Sequence, residues 1–266
     1  MADGQNRSVE DDITLELKRV MKGEISSPYT FQFRASRLPF CSREFVIGKR
    51  YAGGQVAFDE TYDFHFYVSI GTAIHEVIQQ FLGISGSIYG HWTCCGVTEQ
   101  FREGSALCSV CGRPQKYEEF SVDGELGAHV DSVFRQYNAV GEFKSTGSSN
   151  LTRLKGPYDH HITQASCYTN ALNLQFGWDL DKIIFVYLSR DRPSDFKVFV
   201  VPPIEDALSG AIEQYHNAKE ELEAGTIPDP VCSNSYEGHR RNCPYAGVCF
   251  HPNLSSLLHP VESLLR

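Results

Sequence analysis

Gly141-Glu142-Phe143-Lys144 follows ten residues after Gly127-Ala128-His129-Val130-Asp131, and these two stretches decide how the chain is read. Side chains alternate across a strand, so an extended segment projects Glu142 and Lys144 from the same face. A second carboxylate, Asp131, arrives on the preceding strand. Two carboxylates beside an ammonium form a site for a hard divalent cation, with a cationic group next to any anion that the metal binds. That donor set suits hydrolysis of a phosphodiester. Glu-x-Lys alone is a common surface ion pair, so the reading depends on its neighbours.

Working outward, the segments on either side carry helical and strand patterns in turn. Apolar residues at Ile70, Ile74, Val77, Ile78 and Phe81 predict a helix over 69–84, with His75 at the edge of its apolar stripe. Residues 85–118 are rich in Gly and Cys, weakly periodic, and are read as an insertion. Strands are expected at 126–135 and 139–145, joined as a hairpin at Gln136-Tyr137-Asn138. A helix from Asp159 to Leu174, strands at 182–189 and 196–201, and a helix over 204–224 ending at Gly225 follow. Residues 1–28 form a polar N-terminal segment with one short helical pattern near Ile13–Leu17. The expected fold is α/β: a central mixed sheet flanked by helices, in one domain over 29–266. Within it lie the 85–118 insertion and a cysteine-bearing segment at 226–252.

The chain of 266 residues is long enough to bury a full core, and its composition is that of a soluble protein. It has no apolar run of membrane-spanning length, and no membrane partner is expected. The first residues lack a signal-peptide pattern, so a cytoplasmic location is expected, or the host cytoplasm for a phage-encoded chain. In a reducing compartment the nine cysteines are metal ligands sooner than disulfides. A net charge of −9 argues against non-specific coating of nucleic acid, while leaving room for a local basic cleft. Arg153, Lys155, His160 and His161 cluster after the Glu-Lys strand, and Arg190 and Arg192 follow a later one.

From the residues alone, Asp131 and Glu142 on adjacent strands are placed to share Mg²⁺ or Mn²⁺. His75 would add a nitrogen ligand that favours Mn²⁺. Lys144 would orient water or stabilise the phosphate. Gln164 and Tyr168, at i and i+4 with His161 at i−3, share one helix face and are candidate DNA contacts.

The order Gly71-x-x-x-His75, Gly127-x-x-x-Asp131, Glu142-x-Lys144, Gln164-x-x-x-Tyr168 resembles the RecB-like branch of the PD-(D/E)xK nuclease superfamily. The resemblance spans roughly 30–250 apart from the insertion. It implies a restriction-endonuclease-like core, with His75, Asp131 and Glu142 as metal ligands together with the Phe143 carbonyl. It further implies Lys144 as the catalytic lysine, and Gln164 and Tyr168 as the motif that shapes the site and contacts DNA.

Two cysteine groups stand apart from this set. Cys41 lies far upstream of Cys232, Cys243 and Cys249, and four thiolates suit either zinc or an iron–sulfur cluster. One ligand early and three late is the arrangement of iron–sulfur members of the RecB-like nucleases, including AddB-type and CRISPR-adaptation enzymes, so the resemblance implies a 4Fe-4S cluster. The ten residues between Cys232 and Cys243 exceed the usual family spacing, which leaves His239 as an alternative ligand. Within the insertion, Cys108-Ser109-Val110-Cys111-Gly112 has the form of a zinc knuckle. Its partners are Cys94 and Cys95, with His91 as an alternative ligand.

Together these features predict a metal-dependent DNA nuclease, of exonuclease type, acting on single strands or DNA ends. The resemblance associates such enzymes with recombination, repair or CRISPR-type processing. The rival reading is a non-catalytic nucleic-acid-binding module shaped by its metal sites, which would have no need of the complete Asp131, Glu142, Lys144 set.

Overall fold

The computed structural model describes residues 13–14, 25–29, 38, 41–51, 56–60, 62–104, 107–122, 124–192, 194–230, 232, 243 and 245–259. Of the helix expected near Ile13–Leu17, residues 13 and 14 are described and are helical; residues 15–17 and His239 lie outside the described residues.

In chain order the elements are β1 (Ile25–Tyr29), α1 (Ser42–Arg50), β2 (Val56–Glu60), α2 (Tyr62–Ile84), β3 (Tyr89–Cys94), β4 (Val97–Glu103), β5 (Lys116–Glu118), β6 (Phe120–Val122), β7 (Ala128–Val130) and β8 (Ser132–Phe134). After a single 3₁₀ turn come β9 (Ala139–Thr146), α3 (Ser148–Arg153), α4 (Asp159–Phe176), β10 (Lys182–Ser189), β11 (Phe196–Val201), α5 (Ala207–Glu223) and α6 (Ala246–Cys249). The main sheet runs β11-β10-β9-β8-β3-β4, and β5 also pairs with β3. Its one parallel pair is β9–β10; the others are antiparallel. Parallel neighbours need a long crossover, and α3 and α4 supply it. Two further two-stranded sheets pair β1 with β2 and β6 with β7. The expected mixed sheet with flanking helices is therefore the fold. Among the described residues no helix is long and apolar enough to cross a membrane.

Strand alternation sorts the core into two layers. Val140 on β9 joins Val133, Ile183, Phe185 and Tyr187 in a cluster that includes Ala165, Tyr168 and Leu172 of α4. Ala139 and Phe143, one register step away, join Ile88, Trp92, Tyr117 and Phe134 in a second cluster that Ile78 and Leu82 of α2 cover. Each fully buried large side chain contributes roughly 1.5–3 kcal/mol of transfer free energy. Glu142, in phase with Val140, is thereby placed on the α4 side of the central strand.

Three boundaries differ from the sequence reading. α2 begins at Tyr62 rather than Ser69. The alternation Tyr-Asp-Phe-His-Phe-Tyr over 62–67 mimics a strand, and aromatic residues have low intrinsic helix propensity. Residues 85–118, read as weakly periodic, carry β3, β4 and β5 and widen the main sheet. Their inward positions on β3 are Gly90 and Trp92, and a glycine carries no apolar signal. The strand read as continuous over 126–135 divides at Asp131, with β7 and β8 pairing in different sheets. The hairpin itself is present: Arg135–Tyr137 turn as 3₁₀ and Asn138 closes the turn in the left-handed region at φ 50°.

Gly141 is held by crowding. A β-carbon there would collide with the Ser132 hydroxyl and the Phe134 ring across the β8–β9 pair. Gly141→Ala is expected to lower stability by about 1–3 kcal/mol through overpacking, read from the midpoint of denaturant unfolding. An unchanged midpoint would show that the β8–β9 contact relaxes freely.

Candidate metal centre

The site forms where the chain passes from β7 to β8 and meets the middle of β9. Asp131, at that junction, is buried and accepts a hydrogen bond from the Phe143 N–H at Oδ2, 2.7 Å away. Its other oxygen, Oδ1, lies 3.6 Å from Nδ1 of His75 on α2. Burial lowers the His75 pKa, but the Asp131 carboxylate outweighs it and the net displacement is upward. The His75 ring meets the buried Phe143 ring edge-on, at 6.1 Å between centroids.

Glu142 is 1% exposed. Its Oε1 pairs with Lys144 Nζ at 2.5 Å, while Oε2 is buried with no hydrogen-bond partner among the described residues. Burial, followed by the neighbouring Asp131 charge, pushes the Glu142 carboxyl up to about 7. For Lys144, burial alone would lower the pKa; Glu142 and Asp131 reverse that and raise it. Lys144 Nζ also donates to Gln164 Oε1 at 3.4 Å, and Gln164 Nε2 donates to the Tyr168 hydroxyl at 2.6 Å. Glu142, Lys144, Gln164 and Tyr168 therefore make one connected network between β9 and α4. His75, Asp131 and Phe143 make a second one beside it.

His161 is directed elsewhere. Its Nδ1 lies 2.7 Å from the Tyr187 hydroxyl, and its ring is half-buried beside Tyr158 and His160. Burial, then Lys144 and His160, holds its pKa down at about 3.

A cavity of about 840 Å³ opens over this region, lined by Thr72, His75, Glu119, His129, Asp131 and Tyr168 among others. The trio whose ligand atoms all converge within 4.8 Å is His75, Asp131 and Glu119. Glu119 and its hydrogen-bond partner Gln79 were not singled out from sequence. Gln79 follows His75 by four residues and so shares its helix face, a spacing that was open to reading. Glu119 has no comparable signal: it occupies the break between two three-residue strands.

The four cysteines chosen for the zinc knuckle also come together. Cys94, Cys95, Cys108 and Cys111 place their sulfurs within 4.8 Å of one another. The Cys94–Cys95 and Cys94–Cys111 separations are 3.7 and 3.5 Å. A tetrahedral Zn²⁺ with bonds of about 2.3 Å requires sulfurs ~3.8 Å apart, so the group fits that ion. Cys95 and Gly96, at φ 52° and 75°, form a two-residue turn between the paired Cys94 and Val97. Positive φ at both central positions is the hairpin geometry that follows strand twist. That turn lets two adjacent cysteines reach one point. On the other side, Val110 N–H donates to Cys108 Sγ at 3.4 Å. His91 is not in this group; its ring packs on Phe120.

Of the second set, Cys41, Cys232 and Cys249 are buried and Cys243 is half-buried. Cys41 caps the start of α1, accepting from Glu44 N–H at 3.4 Å. Arg43 Nε donates to Cys249 Sγ at 3.1 Å. Burial pushes the Cys243 thiol up to about 12, with smaller contributions from Glu44 and from Cys41 and Cys249 nearby. Cys243 and Cys249 pack with Ile47 of α1 and Tyr245. The early and late parts of the chain thus meet near Cys41, Cys243 and Cys249, but these four cysteines do not form a group whose sulfurs all lie within 4.8 Å of one another.

No family model matches the chain, and no curated protein does. Among solved structures it is similar to SSO0001, at 16% identity over 91% of this chain and 96% of that one, with a TM-score of 0.42. It is also similar to an alkaline exonuclease, LHK-Exo, from Laribacter hongkongensis, at 13% identity over 79% of this chain and 91% of that one, with a TM-score of 0.41. The same exonuclease in complex with dAMP gives 16% identity, coverage of 73% and 92%, and a TM-score of 0.36.

The low His161 pKa has a pH consequence. The unfolded chain takes up a proton at this residue as pH falls below its ordinary 6.5, whereas the folded chain resists down to about 3. Its contribution to stability is complete above pH 6.5 and is lost progressively toward 3. Unfolding midpoints measured from neutral pH down to about pH 5 should fall less steeply in His161→Asn, by up to one proton's worth of slope. Parallel slopes in the two proteins would contradict a buried neutral His161.

Proposed function

We propose that this chain is a divalent-cation-dependent nuclease that hydrolyses phosphodiester bonds in DNA. The observation that carries this reading is Glu142: a carboxylate 1% exposed, one oxygen paired with Lys144 and the other buried without a partner among the described residues. A buried carboxylate oxygen left unpaired costs free energy, on the order of 1–3 kcal/mol or more for a charged group. An arriving cation would satisfy it. The donor set of carboxylates with one imidazole suits Mn²⁺ or Mg²⁺ bound at Asp131, Glu142 and the Phe143 carbonyl, with His75 as a ligand on the other side of Asp131. When bound, such an ion acts as a Lewis acid on the phosphate and acidifies water.

The remaining work falls to the chain itself. Lys144 keeps its charge, because its pKa is raised, and its ammonium is positioned to donate to water or to a phosphate oxygen. Gln164, braced by Tyr168, holds Lys144 from the α4 side. The cavity of about 840 Å³ is of a size that accepts a nucleotide-sized group. The motif order set out from the sequence favours an exonuclease working on single-stranded DNA or ends, with Gln164 and Tyr168 toward the DNA.

Two further metals complete the proposal. Cys94, Cys95, Cys108 and Cys111 hold structural Zn²⁺, supported by the sulfur spacings above. Cys41, Cys232, Cys243 and Cys249 hold an iron–sulfur cluster that ties α1 to the 226–252 segment. The Arg43 hydrogen bond to Cys249 supports that choice, since hydrogen bonds to ligand sulfurs tune such a cluster.

With end-labelled single-stranded DNA and Mn²⁺, wild-type protein should release short products. Glu142→Gln and Lys144→Met should lower the rate roughly 100-fold or more, the scale seen for loss of one transition-state contact. Equal cleavage by all three proteins would contradict the assignment; DNA binding without cleavage in wild type would favour the binding-module reading. Separately, metal analysis should find zinc in wild type and lose it in Cys108→Ser. Zinc retained in full by that variant would exclude Cys108 as a ligand.

A further inference from the structure

Glu119 sits between β5 and β6, half-buried, on the wall of the cavity that also exposes His75 and Asp131. Its Oε1 accepts from Gln79 Nε2 at 2.9 Å. The same nitrogen donates to the main-chain carbonyl of Asp131 at 2.8 Å. Gln79 is 6% exposed, so one buried amide ties Glu119 to the backbone of Asp131. Lys116, which lines the same cavity, pairs with Glu76 instead.

Asp131 thus faces two ways. Oδ2 is turned to β9, where it accepts the Phe143 N–H beside Glu142. Oδ1 is turned to His75. Glu119 converges with that second side, since His75, Asp131 and Glu119 each offer an atom within 4.8 Å of the others. Glu142 is outside this trio. Two buried polar groups around the trio lack hydrogen-bond partners among the described residues: Glu142 Oε2, beside Asp131, and the hydroxyl of Tyr117, a residue of the same cavity wall. Both can be satisfied by a cation or by its bound water.

We propose that His75, Glu119 and Asp131 bind a divalent cation of their own, with Asp131 shared between it and a cation on the Glu142 side. Gln79 is the positioning residue that aims Glu119. The inference rests on the nuclease reading for its purpose, but its test does not. A pair of cations divides the labour of in-line displacement, one stabilising the attacking oxygen and the other the leaving oxygen.

Mn²⁺ binding is measured on the full chain by calorimetry, with free Mn²⁺ counted by its paramagnetic resonance signal. Wild type should bind two ions. Glu119→Gln should weaken one of them by tenfold or more while leaving the other, and Gln79→Met should weaken the same one by about tenfold. Glu142→Gln should instead weaken the second. Thermal unfolding without metal checks that each variant is folded. Mn²⁺ affinity and stoichiometry in Glu119→Gln equal to wild type would overturn the inference, and so would a single ion lost only in Glu142→Gln. In either case DNA cleavage that still depends on Glu142 and Lys144 would leave the nuclease reading standing.

Discussion

Glu142 is a carboxylate placed in the interior of a sheet, and the surrounding structure is organised to tolerate it. Isolated, such a charge would cost several kcal/mol. Lys144, two residues along the same strand, reaches it because strand geometry sends both side chains to one face. Gln164 and Tyr168 then hold Lys144 from α4. Asp131 arrives from the neighbouring strand, fixed by the backbone N–H of Phe143. Gly141, packed against Ser132 and Phe134, lets β8 and β9 come close enough for that hydrogen bond. The arrangement leaves one oxygen of Glu142 without a partner among the described residues, the feature on which the proposed cation site rests.

The two sheet faces divide the labour. α4 covers the side that carries Glu142 and Lys144, and α2 covers the side that carries Phe143. His75 belongs to α2, so it approaches Asp131 from the other layer. The candidate site draws on both layers at the junction where β7 ends and β8 begins. That junction falls between strands of two different sheets, and the chain there is free to present a side chain without filling a regular ladder position.

Much of this was legible in sequence because it rests on local periodicity. β9, β10, β11 and α4 carry uninterrupted strand or helix patterns, and the Glu142-Lys144 and Gln164-Tyr168 spacings follow from them directly. What escaped was structure set by distant contacts. β3 turns Gly90 and Trp92 inward, so its pattern is visible only once Tyr117 is packed on Gly90. Glu119 becomes a neighbour of His75 and Asp131 through Gln79, across sequence separations of 40 and 52 residues. The convergence of Cys94 and Cys95 needs a left-handed backbone at Cys95, a conformation that composition does not announce. The two cysteine groups lie apart: one at the β3–β4 turn, the other where α1 meets the late segment.

The central claim is that Glu142, Asp131 and Lys144 form a cation centre. It is tested most directly by diffraction from crystals soaked in Mn²⁺, using the anomalous signal of the ion. The account predicts a peak between the Asp131 and Glu142 carboxylates, with Glu142 Oε2 as a ligand. Saturating Mn²⁺ that leaves this position empty, with the Glu142–Lys144 pair unchanged, would contradict it.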